Sequence, residues 1–254
     1  MIDIRQIPAR DDNYALLLHD TATGATAAID APEVDAIEDA LDETGWRLTD
    51  ILVTHHHYDH VEGIPALKAK WGARVVCSSH DRDRVPGVDL TVDDGDTILV
   101  GSIPVIALAM PGHTLGHLAW HVPSAQAVFV GDTLFSLGCG RLFEGTAAGM
   151  WGSLVRLRAL SPGTLIYCGH EYTESNGRFA ATIEPGNPAL VARLAEVRDL
   201  RLDGRPTVPT TIEREIATNP FLRADVASVK AALGMADRPD AEVFAEIRGR
   251  KDRF

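Results

Sequence analysis

The chain has 254 residues, 45% of them apolar and 24% charged, enough to bury a sizeable core as one large domain or as a domain with a smaller one attached. Its formal charge of -12 argues against nucleic acid as a partner, because binding a polyphosphate needs a basic face that releases counterions. The first twenty residues lack a basic segment followed by an unbroken apolar run, and no later stretch has the apolar length of a membrane span, so a cytoplasmic protein without a membrane partner is expected.

Taken in chain order, apolar runs bounded by turn residues predict strands at residues 14–18, 25–29, 51–53, 73–77, 98–100, 105–108, 118–122, 127–130 and 165–168. Between them Val34, Ile37 and Leu41 recur at helical spacing, and residues 61–70 read as a second helix. That mixture predicts α/β layers around sheets. After Glu171 no strand-like alternation follows, and helix start signals take over. Asn187-Pro188 is a cap followed by proline at the first helical position, with Leu190, Leu194 and Val197 spaced behind it. Thr210-x-x-Glu213 fits a capping box, and residues 225–233 and 241–248 complete a helical tail. The expected division is therefore 1–172 and 173–254. Cys77, Cys139 and Cys168 are too few and too scattered for a disulfide framework and read as reduced, buried or half-buried residues.

The chemistry is concentrated in Thr54-His55-His56-His57-Tyr58-Asp59-His60, directly after the apolar run Ile51-Leu52-Val53. In extended backbone successive side chains alternate faces, so His55 and His57 can converge on one ion while His56 points away. Asp59 and His60, at the following turn, can aim at a second ion. Three more candidates follow predicted strands beside glycines, namely His113 in Pro-Gly-His-Thr, Asp132 in Gly-Asp-Thr and His170 in Gly-His-Glu. Strand ends fix a side chain while leaving its tip accessible. His19, His80, His117 and His121 read as ordinary surface or half-buried imidazoles.

With its His-x-His-x-Asp-His signature and the later His, Asp and His, the sequence resembles the metallo-β-lactamase superfamily. That resemblance implies an αββα sandwich over residues 1–172 with a small C-terminal α-helical domain. It implies two divalent metal ions per subunit, zinc with iron or manganese as alternatives. His55, His57 and His113 would hold the first ion, Asp59, His60 and His170 the second, and Asp132 would bridge both. Within the superfamily, the run from Leu134 to Thr146, the segment Cys168-Gly169-His170-Glu171-Tyr172-Thr173, and Asn219-Pro220-Phe221-Leu222-Arg223 followed by Arg248-x-x-Lys251-Asp252-x-Phe254 are similar to glyoxalase II, the hydroxyacylglutathione hydrolase family.

Membership would make the substrate an acylglutathione, such as S-D-lactoylglutathione, cleaved to D-lactate and glutathione by a metal-bridged hydroxide. Asp59 and Asp132 would be the catalytic carboxylates, Asp59 orienting the nucleophile. The family's glutathione contacts map onto Arg141, Tyr172, Arg248 and Lys251, with Phe143 where some members place tyrosine. Cationic partners suit a ligand with two carboxylates, and Arg248, Arg250, Lys251 and Arg253 face only Asp252 in the last seven residues. A monomer is expected. The competing readings are a single-iron glutathione persulfide dioxygenase of the same fold and a metal-binding module without catalysis; a β-lactamase is disfavoured by the missing export signal.

Overall fold

The computed structural model describes residues 1–254. They form two compact units, one of Met1–Met110 with Gly116–Gly131, the other of Pro111–Leu115 with Asp132–Phe254.

The first unit contains a mixed sheet in the order β1 (Ile2–Ala9), β2 (Asn13–Asp20), β3 (Ala25–Ile29), β4 (Arg47–Leu52), β5 (Arg74–Ser78) and β6 (Leu90–Val92). Pairing is antiparallel from β1 to β3 and parallel from β3 to β6. The crossovers are α1 (Val34–Thr44), which links β3 to β4, and α2 (Tyr58–Val61) with α3 (Ile64–Trp71), which link β4 to β5. Ile37 and Leu41 of α1 and Ile64 and Leu67 of α3 pack on one face of the sheet, against Ala15, Leu17, Ala28, Ile51 and Val75. The alternate residues Leu16, Leu18, Ala27, Ile29, Leu52 and Val76 are equally buried on the opposite face. Covered on both sides, these strands read as continuous apolar runs rather than as alternation.

A second, antiparallel set of strands in this unit runs β7 (Thr97–Val100), β8 (Ile103–Ala109), β9 (Leu118–Val122) and β10 (Ala127–Gly131). The indole N–H of the fully buried Trp120 donates to the Val53 carbonyl at 3.3 Å, and the Leu118 N–H to that of Thr54 at 2.8 Å. These bonds tie β9 to the point where β4 gives way to the histidine-rich loop. The helix expected over 61–70 is broken into α2 and α3 at Gly63, where a Cβ would lie 3.0 Å from the Ala31 carbonyl oxygen. Strands β1 and β6 lie outside the expected set. β1 is an edge strand with half-exposed side chains and a proline, Pro8, near its end.

The second unit opens with a short hairpin, β11 (Leu134–Phe135) and β12 (Gly138–Cys139), and continues through α4 (Ala147–Arg158), β13 (Leu165–Cys168), α5 (Thr173–Ile183) and α6 (Pro188–Leu202). There follow β14 (Thr210–Thr211), α7 (Ile212–Thr218), α8 (Ala227–Ala232) and α9 (Asp240–Asp252). Helix α6 starts where expected, with the Asn187 side-chain oxygen accepting from the Ala189 and Leu190 N–H groups. Two expectations are corrected here. The cap of α7 is Thr211 rather than Thr210, accepting from Arg214, because Thr210 pairs opposite Ile166 of β13 and gives its hydroxyl to Glu215. That pairing is also a strand beyond Glu171, invisible as a pattern because it is two residues long. Ring centroids 5.8–6.2 Å apart join Phe179 of α5 to Phe221, Phe221 to Phe244 of α9, and Phe244 to Trp151 of α4, forming the aromatic core of the unit. No helix is long and apolar enough to cross a membrane.

Candidate metal centre

In the first unit the loop leaving β4 is organised by Asp30, a buried residue at the end of β3 in the left-handed region (φ 61°). Its Oδ1 accepts from the Thr54 N–H at 2.7 Å, and its Oδ2 faces the Thr54 hydroxyl at 2.7 Å and His60 Nδ1 at 2.8 Å. A carboxylate can only accept, so the His60 proton sits on Nδ1 and Nε2 is the atom that could hold a cation. The Thr54 hydroxyl also lies 3.0 Å from His55 Nδ1. His55 Nε2 and His57 Nδ1 are 3.1 Å apart, and His60 Nε2 and Asp59 Oδ2 are 3.6 Å apart. Asp59 is held in turn by the Asn13 amide, which donates to its Oδ2 at 3.1 Å and to its carbonyl at 3.2 Å.

His56 turns the other way, its Nδ1 lying 3.1 Å from the buried Asp81 carboxylate. Of the remaining histidines, His80 is half-exposed and His121 half-buried, with burial lowering the His121 pKa. His117 and His19 depart from the surface or half-buried reading. His117 is fully buried and stacks on His55 at 4.8 Å, and His19 is buried against Trp46 at 4.1 Å. Gly131 (φ +46°) makes room there, since a Cβ on it would lie 2.9 Å from His117 Nε2 and 2.5 Å from the Thr54 hydroxyl.

The second unit brings His113, Asp132 and His170 together. Asp132 Oδ2 lies 3.6 Å from His113 Nε2, and Asp132 Oδ1 lies 3.5 Å from His170 Nε2. One carboxylate thus has an imidazole nitrogen at each oxygen. His113 Nδ1 donates to the Arg141 carbonyl at 2.8 Å, which leaves Nε2 as the atom that could hold a cation, and Gly140 is required beside it because a Cβ would come within 2.0 Å of the Asp132 carbonyl oxygen. Donors sharing one tetrahedral ion at about 2.0–2.1 Å stand about 3.3–3.4 Å apart. The ligand pairs in both units lie between 3.1 and 3.6 Å, and imidazole with carboxylate is a donor set that divalent cations accept, so the residues fit the group.

The five residues mapped to glutathione lie in the second unit with different degrees of freedom. Tyr172 stacks on His170 (centroids 4.7 Å, 6°), with Phe135 at its edge. Phe143 is 61% exposed and meets the His113 ring edge-on at 5.2 Å. Arg141 and Lys251 reach the surface, Arg141 pairing with Asp252 at 3.4 Å and Lys251 donating to the Ser175 carbonyl at 3.3 Å. Burial and then the neighbouring Arg248 charge lower the Lys251 pKa. Arg248 is only 6% exposed, with one nitrogen donating to the Cys139 carbonyl at 2.8 Å and the other to Asp252 at 3.0 Å. Its guanidinium is therefore built into the fold as much as it is offered to a ligand.

Burial pushes the Cys77 thiol up to about 12 and the Cys139 thiol up to about 11, so neither provides a thiolate nucleophile at neutral pH. Asp30, Asn13 and Asp81, which orient the histidines and Asp59, carry no signal in the sequence, and each acts on a residue that folding alone brings near.

The metallo-β-lactamase superfamily model matches residues 10–170, and the model of the hydroxyacylglutathione hydrolase C-terminus matches residues 171–254. The chain is 53% identical over 253 residues to hydroxyacylglutathione hydrolase of Cereibacter sphaeroides, covering 100% of this chain and 99% of that one. It is also 53% identical to hydroxyacylglutathione hydrolase of Brucella anthropi, over 100% of this chain and 97% of the relative. Among solved structures, ETHE1 from Myxococcus xanthus superposes with a TM-score of 0.70 at 27% identity, covering 97% of this chain and 90% of that one. The chain belongs to the hydroxyacylglutathione hydrolase family of the metallo-β-lactamase superfamily, a family of enzymes on a mixed α/β fold with a C-terminal helical region.

Proposed function

We propose that the protein hydrolyses S-(2-hydroxyacyl)glutathione thioesters, turning S-D-lactoylglutathione into D-lactate and glutathione, at a centre of two divalent cations. His55, His57 and His113 would hold one cation, Asp59, His60 and His170 the other, with Asp132 shared. The observation that carries the two-cation reading is Asp132, whose oxygens each face a different imidazole. The substrate follows from full-length similarity to relatives named for it. Zinc is the expected ion, with iron or manganese accepted by the same donors. When bound, the cations supply Lewis acidity that brings water ionisation toward neutral pH and offsets charge on a carbonyl oxygen.

The chain's own groups do the rest. Asp59, held by Asn13 and 35% exposed at its side chain, orients the attacking water and takes up its proton. The departing glutathione thiolate is a good leaving group and asks for little acid assistance. Arg141 and Lys251 meet the glutathione carboxylates, Arg248 supports that contact, and Tyr172 and Phe143 form its walls. In this division residues 1–172 carry the chemistry and residues 173–254 recognise the glutathione end, and the protein works as a cytoplasmic monomer. A persulfide dioxygenase is not favoured, since the C-terminal helical region matches the hydrolase model over its whole length. Loss of thioester absorbance with S-D-lactoylglutathione and zinc-loaded protein is the expected result. Oxygen uptake with glutathione persulfide and no thioester hydrolysis would overturn the reading.

A further inference from the structure

Glu215 of α7 is a fully buried carboxyl that the chemistry above does not use. Its Oε1 accepts from the Ser136 hydroxyl (3.1 Å) and the Thr210 hydroxyl (2.8 Å), and its Oε2 from the Leu137 N–H (2.8 Å) and the Asn219 amide (3.0 Å). Burial raises its pKa, while those donors and the nearby Arg193 charge oppose the rise. Ser136 and Leu137 are the tip of the β11–β12 hairpin, and Leu137 sits there in the left-handed region (φ 60°), a conformation that a leucine needs help to keep. The rest of the hairpin backbone is gripped in the same way. Asn219 donates to the Phe135 and Gly138 carbonyls, Asn176 to that of Ser136, and Arg248 to that of Cys139.

The hairpin enters two residues after Asp132 and leaves through Gly140 and Arg141. Its leaving end packs on the Asp132 backbone at Gly140 and accepts the His113 Nδ1 proton at the Arg141 carbonyl. We propose that Glu215 is a positioning residue for the metal centre, locking the hairpin tip and so fixing Asp132 at one end of the hairpin and the orientation of His113 at the other. The proposal rests on the reading of His113, Asp132 and His170 as ligands. It gives the helical tail a second task beside substrate recognition.

The test is zinc titration of metal-free protein against a chromogenic chelator, independent of turnover. Glu215→Ala leaves the Leu137 N–H without its acceptor and is expected to weaken at least one zinc equivalent by about 10–100-fold, the usual effect of removing a group that orients ligands. Glu215→Gln can keep its oxygen on Leu137 and turn its amide toward the two hydroxyls, so it should recover most of that affinity. If Glu215→Ala does not fold, Ser136→Ala cuts the same link more gently and should weaken zinc by about threefold, the scale of one neutral hydrogen bond. Zinc bound by the unaltered chain and equally tightly by the folded variants overturns the proposal, whatever their urea stability. Absence of zinc binding by the unaltered chain overturns the metal-centre reading itself and the proposal with it.

Discussion

Asp30→Asn isolates one contact of the histidine-rich loop proposed to hold a cation. Asparagine has the shape of aspartate and tolerates the left-handed backbone of this position, so the backbone need not move. Its remaining oxygen can still accept from the Thr54 N–H, but an NH₂ now stands where Oδ2 faced His60 Nδ1 at 2.8 Å. Two donors cannot share that line, and His60 must move its proton to Nε2, the atom proposed to hold the cation, or rotate away. A buried hydrogen bond to a charged group is worth about 1.5–3 kcal/mol. At about 1.4 kcal/mol per factor of ten, losing it should weaken the cation held by His60 by about ten- to a hundredfold. Competition between metal-free protein and a chromogenic chelator reads that shift. A folded Asp30→Asn protein with zinc affinity within twofold of the parent would refute the tautomer argument.

His57→Ala and Asp132→Ala are expected to abolish thioester hydrolysis by losing metal; full activity with unchanged metal content, measured by elemental analysis, would sink the two-cation reading. Lys251→Ala should raise KM for S-D-lactoylglutathione far more than it lowers kcat, because in the proposed mode the group meets the non-reacting end. Arg248→Ala should do the same and also lower the urea midpoint, since the Cys139 carbonyl loses its donor, a loss on the order of 1–3 kcal/mol. An unchanged KM in both variants removes the glutathione assignment. Asp20 supplies the pH dependence. The Ser102 hydroxyl and N–H, the Thr23 hydroxyl and the Ala22 N–H hold its carboxyl well below the usual range. A depressed pKa gives stability that is present above the unfolded value near 3.9 and drains away as pH falls below it. The Tm of the parent should therefore fall more steeply than that of Asp20→Asn between pH 5 and pH 3, and parallel curves would contradict this.

The candidate ligand segments stand out in the sequence because their chemistry is dense and local, with four candidates within six residues and the others beside glycines at strand ends. The central strands were legible because burial on both faces leaves an unmistakable apolar run. Helix α4 was not, because Gly149 and Gly152 interrupt its pattern and its cap, Thr146, falls inside a run dominated by other signals. Nor could the sequence reveal Asp30, whose partners lie 24 and 30 residues away, or Asn13, which reaches Asp59 across 46. His117 read as a surface or half-buried imidazole because nothing local shows that the residue before β9 is buried against His55.

The sealed thiols bear on how the chain meets glutathione. A protein thiol is capped only when its thiolate attacks a disulfide such as oxidised glutathione, and the thiol released by the proposed reaction is not one. All three cysteines are buried, and burial raises the pKa of each thiol, so little thiolate is present at neutral pH. Oxidised glutathione therefore meets no exposed thiol on this chain.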